Sequence, residues 1–260
     1  MLVMGVDIGS AACKCVILKD GKEVIAKSVI PLGTGTVGPK RAVDEALAES
    51  GLTKDDISRV LVTGYGRFVF DGADSQKSEI SCHARGVAFL LPSTRTIIDI
   101  GGQDIKVIKI NEKGHFDSFA MNDKCAAGTG KFMEAMAAIL NVKVWELGEI
   151  SKASTAEVSV SNTCTVFAES EVVSILSSNE KLEDIVAGIH RSVAKRVAAL
   201  AHRNGIIKDV AISGGVALNE GVVKTLSEEL KTEVLATPDC QIAGALGAAL
   251  LAWEELMQQQ

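Results

Sequence analysis

The sequence has few aromatic residues, little proline and no excess of positive charge. Aromatic residues make up 4% of the 260 residues, and the whole chain contains four prolines. The core must therefore be built mainly from Val, Ile, Leu and Ala. The formal net charge is −6 and no basic patch is visible, so nucleic-acid binding is not expected. Hydrophobic residues reach 47% against 23% charged residues, which excludes intrinsic disorder as the main state.

Patterns for export or membrane insertion are also missing. The chain begins with a strand-like run that has no basic n-region. The longest uncharged stretch, residues 240–253, is too short for a bilayer, which needs about 20 apolar residues. We therefore expect a cytoplasmic protein with no membrane partner. In that compartment disulfides are rare, so the six cysteines are expected as thiols, buried hydrophobes or metal ligands.

Two glycine-containing turns repeat the same spacing. The first lies in Asp7-Ile-Gly-Ser-Ala-Ala-Cys-Lys14 and the second in Asp99-Ile-Gly-Gly-Gln-Asp-Ile-Lys106, so a lysine follows each aspartate by seven positions. An apolar run precedes and follows each turn, which predicts two hairpins. The repeat indicates two related lobes.

Both turns have the composition of a phosphate-binding loop. Asp7 and Asp99 stand at strand ends where a carboxylate can hold Mg²⁺ or its water, and Gln103 can orient an attacking water. An ordinary tight hairpin is the alternative for either turn taken alone. The small residues whose backbone N–H groups can approach a phosphate are Ser10, Ala11, Gly101 and Gly102.

Two further glycine-rich segments follow. Residues 126–130 lead into a predicted helix, and residues 213–220 join a predicted strand to another helix. A helix N-terminus at such a place favours anionic or polar ligand groups. The chain has no Gly-x4-Gly-Lys-Ser/Thr motif and no Gly-x-Gly-x-x-Gly motif after a strand. A P-loop enzyme and a Rossmann dehydrogenase are therefore not expected.

In their order, these segments resemble the acetate and sugar kinase/Hsc70/actin superfamily. The resemblance implies an α/β fold: a two-lobed actin-like ATPase with duplicated ribonuclease H-like lobes and a nucleotide cleft for ATP or ADP with Mg²⁺. We expect one lobe over residues 1–93 and the other over residues 94–243, with a helix over 244–258 packing back on the first. The resemblance assigns nucleotide contacts to Lys14, Gly128, Gly130, Lys131, Glu134, Gly214, Gly215 and Asn219.

Two cysteines stand directly before predicted helices. Cys125 precedes a helix over residues 131–140, and Cys164 precedes one over residues 166–176. A helix N-terminus favours the thiolate that binds metal. Two thiolates cannot complete a four-cysteine cluster, whereas a two-fold dimer can. With no Cys-x-x-Cys pattern, the residues alone favour the interpretation of a small buried hydrophobe.

The segments around these cysteines carry a closer resemblance. Residues 122–130 and 161–171 resemble the signature segments of the ATPase family that activates 2-hydroxyacyl-CoA dehydratases, which is related to the nucleotide subunits of benzoyl-CoA reductases. The resemblance implies a homodimer with one [4Fe–4S] cluster, held by Cys125 and Cys164 of both subunits. It also implies ATP-driven electron transfer from ferredoxin or flavodoxin to a separate dehydratase component.

Three alternatives stay open at this stage. The chain can be the ATPase subunit of a benzoyl-CoA reductase-type enzyme, a small-molecule kinase of the same fold without iron, or an actin-like assembly protein. The remaining chemistry-bearing residues are expected to be structural. His190 and His202 fall on a helix predicted over residues 182–204 and are expected at the surface, and Cys13, Cys15, Cys82 and Cys240 are expected to pack.

Overall fold

The computed structural model describes residues 1–156 and 158–259, and within them the chain forms ten strands and eight α-helices. The strands are β1 (Leu2–Ile8), β2 (Cys13–Lys19), β3 (Glu23–Ile30), β4 (Arg59–Thr63), β5 (Ser75–Gln76), β6 (Thr96–Ile100), β7 (Ile105–Ile110), β8 (Phe116–Asn122), β9 (Val210–Ser213) and β10 (Val234–Ala236). The helices are α1 (Gly38–Ser50), α2 (Glu79–Leu90), α3 (Gly130–Ile139), α4 (Leu147–Ile150), α5 (Thr165–Ser177), α6 (Leu182–Asn204), α7 (Glu220–Leu230) and α8 (Ala243–Gln258).

The chain divides into two compact units. The first contains Met1–Thr94, Ile110–Asp117 and Thr237–Gln260, and the second contains Arg95–Lys109 and Ser118–Ala236. The C-terminal helix α8 therefore belongs to the first unit, as does the short turn between β7 and β8. Each unit is built on one five-stranded sheet.

The first sheet has the order β3-β2-β1-β4-β5 and helices on both faces. Alternate residues of β1 enter two cores: Met4, Val6 and Ile8 pack with buried residues of α1, and Val3 packs with buried residues of α8. Gly5 lets α8 approach closely, because a Cβ there would lie 2.0 Å from the Ala245 carbonyl oxygen. A strand buried on both faces reads as a continuous apolar run, which is how β1 appears in the sequence.

The second sheet has the order β10-β9-β6-β7-β8. Its central strands β6 and β7 supply a buried isoleucine-rich core. The long helix α6 packs on α7, and its last residue, Asn204, donates from its side-chain amide to the Val107 carbonyl of β7 at 3.2 Å. The amide anchor ties the end of α6 to the sheet.

The two sheets have the same internal plan. In each, the strand that carries the aspartate pairs antiparallel with the next strand along the chain and parallel with a later one. The sequence repeat lies at the same register in both: Asp7 pairs with Lys14 across β1 and β2, and Asp99 pairs with Lys106 across β6 and β7. The α/β fold built from two related units is thus confirmed.

Most predicted elements are present, but α2, α4, β5 and β8 were not predicted. The helix over 182–204 has the predicted bounds, and strand β9 leads into the glycine-rich segment 213–220 as predicted. Helix α2 was missed because Gly86 interrupts its pattern; a Cβ at Gly86 would lie 1.9 Å from the Ala243 carbonyl oxygen of α8, so the glycine serves packing. Strand β8 was missed because it is half exposed and has no clean apolar alternation.

The prediction that His190 lies at the surface is wrong. His190 is 1% exposed, and burial lowers its pKa to about 4. Its Nε2 lies 3.2 Å from the Asn219 side-chain nitrogen. The neutral ring therefore accepts from that amide N–H with Nε2 and carries its own proton on Nδ1. His202, three turns further along α6, is exposed as expected.

None of the helices in residues 1–156 and 158–259 combines the length and apolar character needed to cross a bilayer.

The buried histidine predicts a pH-dependent stability. The unfolded chain protonates near the ordinary histidine pKa of 6.5 whereas the folded chain does not until about pH 4, so His190 opposes folding increasingly as pH falls through this window. Between pH 7 and pH 5 this linkage costs about 2 kcal/mol of the unfolding free energy. Urea unfolding at both pH values should show that His190→Leu loses this share of the pH dependence.

His202→Leu, on the same helix, is the matched control and should keep the wild-type difference between the two pH values. An unchanged pH dependence in His190→Leu would mean that His190 is charged or solvated in the folded protein.

Candidate functional site

In the first unit, the turn after β1 is held by its own backbone. The Gly9 N–H donates to the Ala12 carbonyl at 3.1 Å, and the Thr34 N–H donates to the Gly9 carbonyl at 2.9 Å. Gly33 lies against the turn, since a Cβ there would be 1.9 Å from the Ser10 carbonyl oxygen. The turn is thereby fixed in shape while Ser10 and Ala11 stay partly exposed at its tip.

Asp7 stands at the base of this turn with half of its hydrogen-bonding capacity unused. The Lys14 ammonium donates to Oδ2 at 3.0 Å, and the carboxylate is almost fully buried. Oδ1 is also buried, and no hydrogen-bond partner reaches it from the described part of the chain. Two glycines adjoin the carboxylate: a Cβ at Gly64 would lie 2.6 Å from Oδ1, and one at Gly244 would lie 3.1 Å from Oδ2. An orphaned carboxylate oxygen beside glycines suits a hydrated cation.

In the second unit, the turn after β6 repeats this geometry. The Gly101 N–H donates to the Asp104 carbonyl at 3.0 Å. Asp99 accepts from the Ser213 hydroxyl at 2.9 Å through Oδ1 and lies 3.4 Å from the Lys106 ammonium through Oδ2. The Asp99 carboxylate therefore has a fixed orientation at the carboxyl end of β6.

Lys106 is a deeply buried charge of this unit. Its side chain is 1% exposed, and its ammonium contacts the carboxylates of Asp99 and Asp104, the latter at 2.8 Å. Two carboxylates around one ammonium leave a net negative charge, which suits a site for Mg²⁺ or its waters. Gln103 lies at the tip of the same turn with an exposed side chain.

The glycine-rich segment before α3 is joined to this turn. The N–H groups of Gly130 and Lys131 donate to the Gly101 and Gly102 carbonyls, both at 2.9 Å. The structure thus brings the glycine-rich segment of residues 126–130 against the predicted phosphate turn. On the first turn of α3, the Lys131 ammonium and the Glu134 carboxylate form a half-exposed ion pair at 2.7 Å.

The segment after β9 carries the residues predicted to border the nucleoside. Gly214 has a φ of +87° and lies so close to β6 that a Cβ would be 2.3 Å from the Ile100 carbonyl oxygen. Gly215 begins a short 3₁₀ turn, and the Asn219 side chain accepts from the Val222 N–H at 3.1 Å to cap α7. His190 supports this cap, because the Asn219 side-chain amide donates a hydrogen bond to its imidazole ring.

The six cysteines fall into two groups. Cys13, Cys15, Cys82 and Cys240 are buried, whereas Cys125 and Cys164 are only partly buried. Burial raises the pKa of Cys15 and Cys82 to about 12, so these thiols stay protonated. Burial also raises the pKa of Cys13 to about 11, with the Asp7 carboxylate adding to the shift.

Both partly buried cysteines lie in the second unit. Cys164 is the residue before the first turn of α5. Cys125 lies five residues before α3, and its carbonyl accepts from the Asn122 side-chain amide at 3.3 Å. The Glu171 carboxylate of α5 accepts from the Ser161 N–H at 2.7 Å and so fixes the Cys164 segment internally.

Four residues support the site although none was predicted in the supporting role that it has in the structure; Asp104 was predicted only as a weaker candidate than Gln103 for positioning water. Three of these, Asp104, Lys106 and Ser213, hold Asp99 or its lysine, and the repeat of Asp and Lys seven residues apart already pointed to Lys106. His190 had no signal in the sequence, because its neighbour Asn219 is 29 residues away and its burial depends on tertiary packing.

The whole chain is similar to known proteins in sequence and in structure. The (R)-2-hydroxyglutaryl-CoA dehydratase activating ATPase of Acidaminococcus fermentans is 55% identical over 253 residues, covering 97% of both chains. The solved activator of the 2-hydroxyisocaproyl-CoA dehydratase of Clostridium difficile with bound ADPNP matches with a TM-score of 0.97 and 56% identity, covering 100% of this chain and 97% of its own.

A more distant relative belongs to a different enzyme. The benzoyl-CoA reductase of Thauera aromatica contains a chain that is 34% identical over 262 residues, covering 96% of this chain and 92% of its own. The model of the BadF/BadG/BcrA/BcrD ATPase family matches residues 4–252. The chain, whose two related units present their aspartate-lysine turns within that range, therefore belongs to the BadF/BadG/BcrA/BcrD ATPase family.

Proposed function

We propose that the chain is an ATP-hydrolysing iron–sulfur protein that passes a low-potential electron to a 2-hydroxyacyl-CoA dehydratase. The observation that carries the proposal is the division of the cysteines: four are buried thiols, and the remaining two lie half-buried in segments that precede helices of one unit. The family supplies the ATPase half of the proposal. Relatives named as dehydratase activators supply the acceptor.

The nucleotide is assigned to the two aspartate-lysine turns and the segments beside them. Backbone N–H groups at the turn tips bind phosphate oxygens, and Lys14 adds a positive charge close to them. Asp7 and Asp99 hold Mg²⁺ through its waters. The residues assigned to the phosphates are Ser10, Ala11, Gly101 and Gly102, and those assigned to the nucleoside and its approach are Gly128, Gly130, Lys131, Glu134, Gly214, Gly215 and Asn219.

Gln103 is assigned to the attacking water. Its side chain is exposed at the tip of a turn whose backbone is fixed by hydrogen bonds to Asp104 and Gly130. A side-chain amide can accept from a water and donate to a phosphate oxygen, which orients the water for in-line attack. Asp104 is less suited to this role because its carboxylate accepts from Lys106.

The water-positioning role predicts a selective loss in Gln103→Ala. We expect kcat for ATP hydrolysis to fall roughly 100-fold with little change in KM, since the interaction is made in the transition state. Steady-state phosphate release measures both constants. Gln76→Ala, at an exposed position of β5, is the matched control. An unchanged hydrolysis rate in Gln103→Ala would remove this residue from the mechanism.

Cys125 and Cys164 are assigned as ligands of a [4Fe–4S] cluster shared by a homodimer. The donor set fits, because soft thiolates are the ligands of iron–sulfur clusters and the two thiols are the ones that solvent reaches. One chain offers two ligands, so a second copy completes four. When bound, the cluster would supply a one-electron carrier, which ferredoxin or flavodoxin would reduce.

The helix that follows Cys164 supports the second copy as the partner. Along α5, Val166, Phe167 and Val173 are 65%, 68% and 53% exposed, and the exposed positions between them include serine. An apolar helix face of this kind is typical of a surface that is covered in the assembly. Its position beside Cys164 supports an interface close to the proposed ligand.

The ligand assignment predicts iron loss from single substitutions. Anaerobically purified wild type should hold about four irons per dimer. Cys125→Ser and Cys164→Ser should each abolish most of the iron and the visible charge-transfer absorbance. Cys15→Ala, which alters a cysteine buried in the first unit, should keep both. A colourless wild-type monomer that binds ATP would overturn the cluster and leave a kinase as the better interpretation.

An activator is preferred over a component of a benzoyl-CoA reductase on similarity. The activating ATPase is 55% identical to this chain and the reductase chain 34%, although both align over nearly its whole length.

A further inference from the structure

Helix α6 lies beneath the segment that carries Cys164. The Ser192 hydroxyl donates to the Ser161 carbonyl at 2.8 Å. One turn later, Arg196 donates from Nη1 to the Asn162 carbonyl at 3.4 Å. Residues four apart on a helix share a face, so consecutive carbonyls of the cysteine segment are held by consecutive turns of α6.

The same arginine supports the segment that carries Cys125. Gly128 adopts a φ of +83°, and a Cβ there would lie 3.1 Å from Arg196 Cγ and 3.3 Å from Arg196 Cβ. The aliphatic stem of Arg196 therefore packs against the backbone three residues after Cys125. Asn122, whose amide holds the Cys125 carbonyl, lines a cavity of about 310 Å³ together with Arg196 and Arg203.

The other anchors of these segments act on one segment each. Glu171 accepts from the Ser161 N–H at 2.7 Å, and the Thr129 hydroxyl donates to the Ala126 carbonyl at 2.6 Å. Arg196 touches both segments, with its stem on one and its guanidinium on the other. A partly buried arginine stem packs like an apolar chain while its head stays available for hydrogen bonds.

We infer that Arg196 is a positioning residue that sets the spacing of the Cys125 and Cys164 segments from a single point on α6. The inference rests on the proposed function in one respect, that these cysteines bind iron. Residues that orient metal ligands affect metal retention strongly, commonly by 10–100-fold. Losing the guanidinium should release the Cys164 segment, and losing the stem as well should loosen the Cys125 segment.

The test uses the full chain and three variants at one position. Arg196→Met keeps most of the stem without the donors, Arg196→Ala removes both, and Arg196→Lys keeps a stem with one donor group. Arg203→Met is the matched control, because Arg203 lines the same cavity further along α6. Its side chain makes no hydrogen bond to either cysteine segment as described over residues 1–156 and 158–259.

Amide hydrogen exchange of the iron-free protein is the first readout. We expect Arg196→Met to speed exchange in residues 158–165, and Arg196→Ala to speed it there and in residues 121–130, with Arg203→Met unchanged. Wild-type exchange in both segments of Arg196→Ala would overturn the inference. This arm needs no iron, so it decides the positioning role even if the wild type proves to hold no cluster.

Iron release from the anaerobic holoprotein to a chelator is the second readout. Arg196→Met should lose iron about tenfold faster than the wild type, Arg196→Lys should restore part of the retention, and Arg203→Met should match the wild type. The reduced cluster of Arg196→Met should also show altered EPR g values. Equal iron-release rates and equal g values in all variants would overturn the proposed effect of Arg196 on the cluster. A wild type without iron would instead overturn the proposed function.

Discussion

An aspartate and a lysine facing each other across a hairpin organise both units of this protein. Asp7 and Asp99 lie near the ends of buried strands, where burying a charge without a partner is costly. Lys14 and Lys106 supply that partner from the directly opposite position of the next strand. The spacing of seven residues follows from this pairing, because a tight turn joins the two strands.

The parallel strand beside each pair completes the arrangement. Thr63 lies opposite Asp7 in β4, and Ser213 lies opposite Asp99 in β9. A glycine with positive φ follows each hydroxyl residue. Gly64 lies so close to β1, and Gly214 so close to β6, that a side chain at either position would clash with the strand backbone. The close approach keeps the carboxylates free of side-chain cover on that side. In both units a buried, lysine-paired carboxylate thus lies beside a glycine near the carboxyl end of the central strand, which suits a site for Mg²⁺ and phosphate.

The cysteines show how burial divides one residue type between structure and chemistry. Deep burial raises the thiol pKa of Cys13, Cys15 and Cys82 and makes them packing residues. Cys125 and Cys164 are only partly buried, because their segments pack against the outside of α6 and not within a core. The platform that α6 offers, with Ser192 and Arg196 on one face, explains how two loops distant in sequence keep a defined geometry.

The two aspartate-lysine turns, the α/β class, most helix bounds and the two cysteines that stand apart can all be predicted from the amino-acid sequence. These features follow from spacing along the chain, since hairpin register and helix periodicity are local. Tertiary structure alone decided that Gly86 continues a helix, that His190 is buried and neutral, and that Arg196 meets both cysteine segments. Those outcomes depend on close approach between residues far apart in sequence, where the packing partner, not the residue type, sets burial and contact.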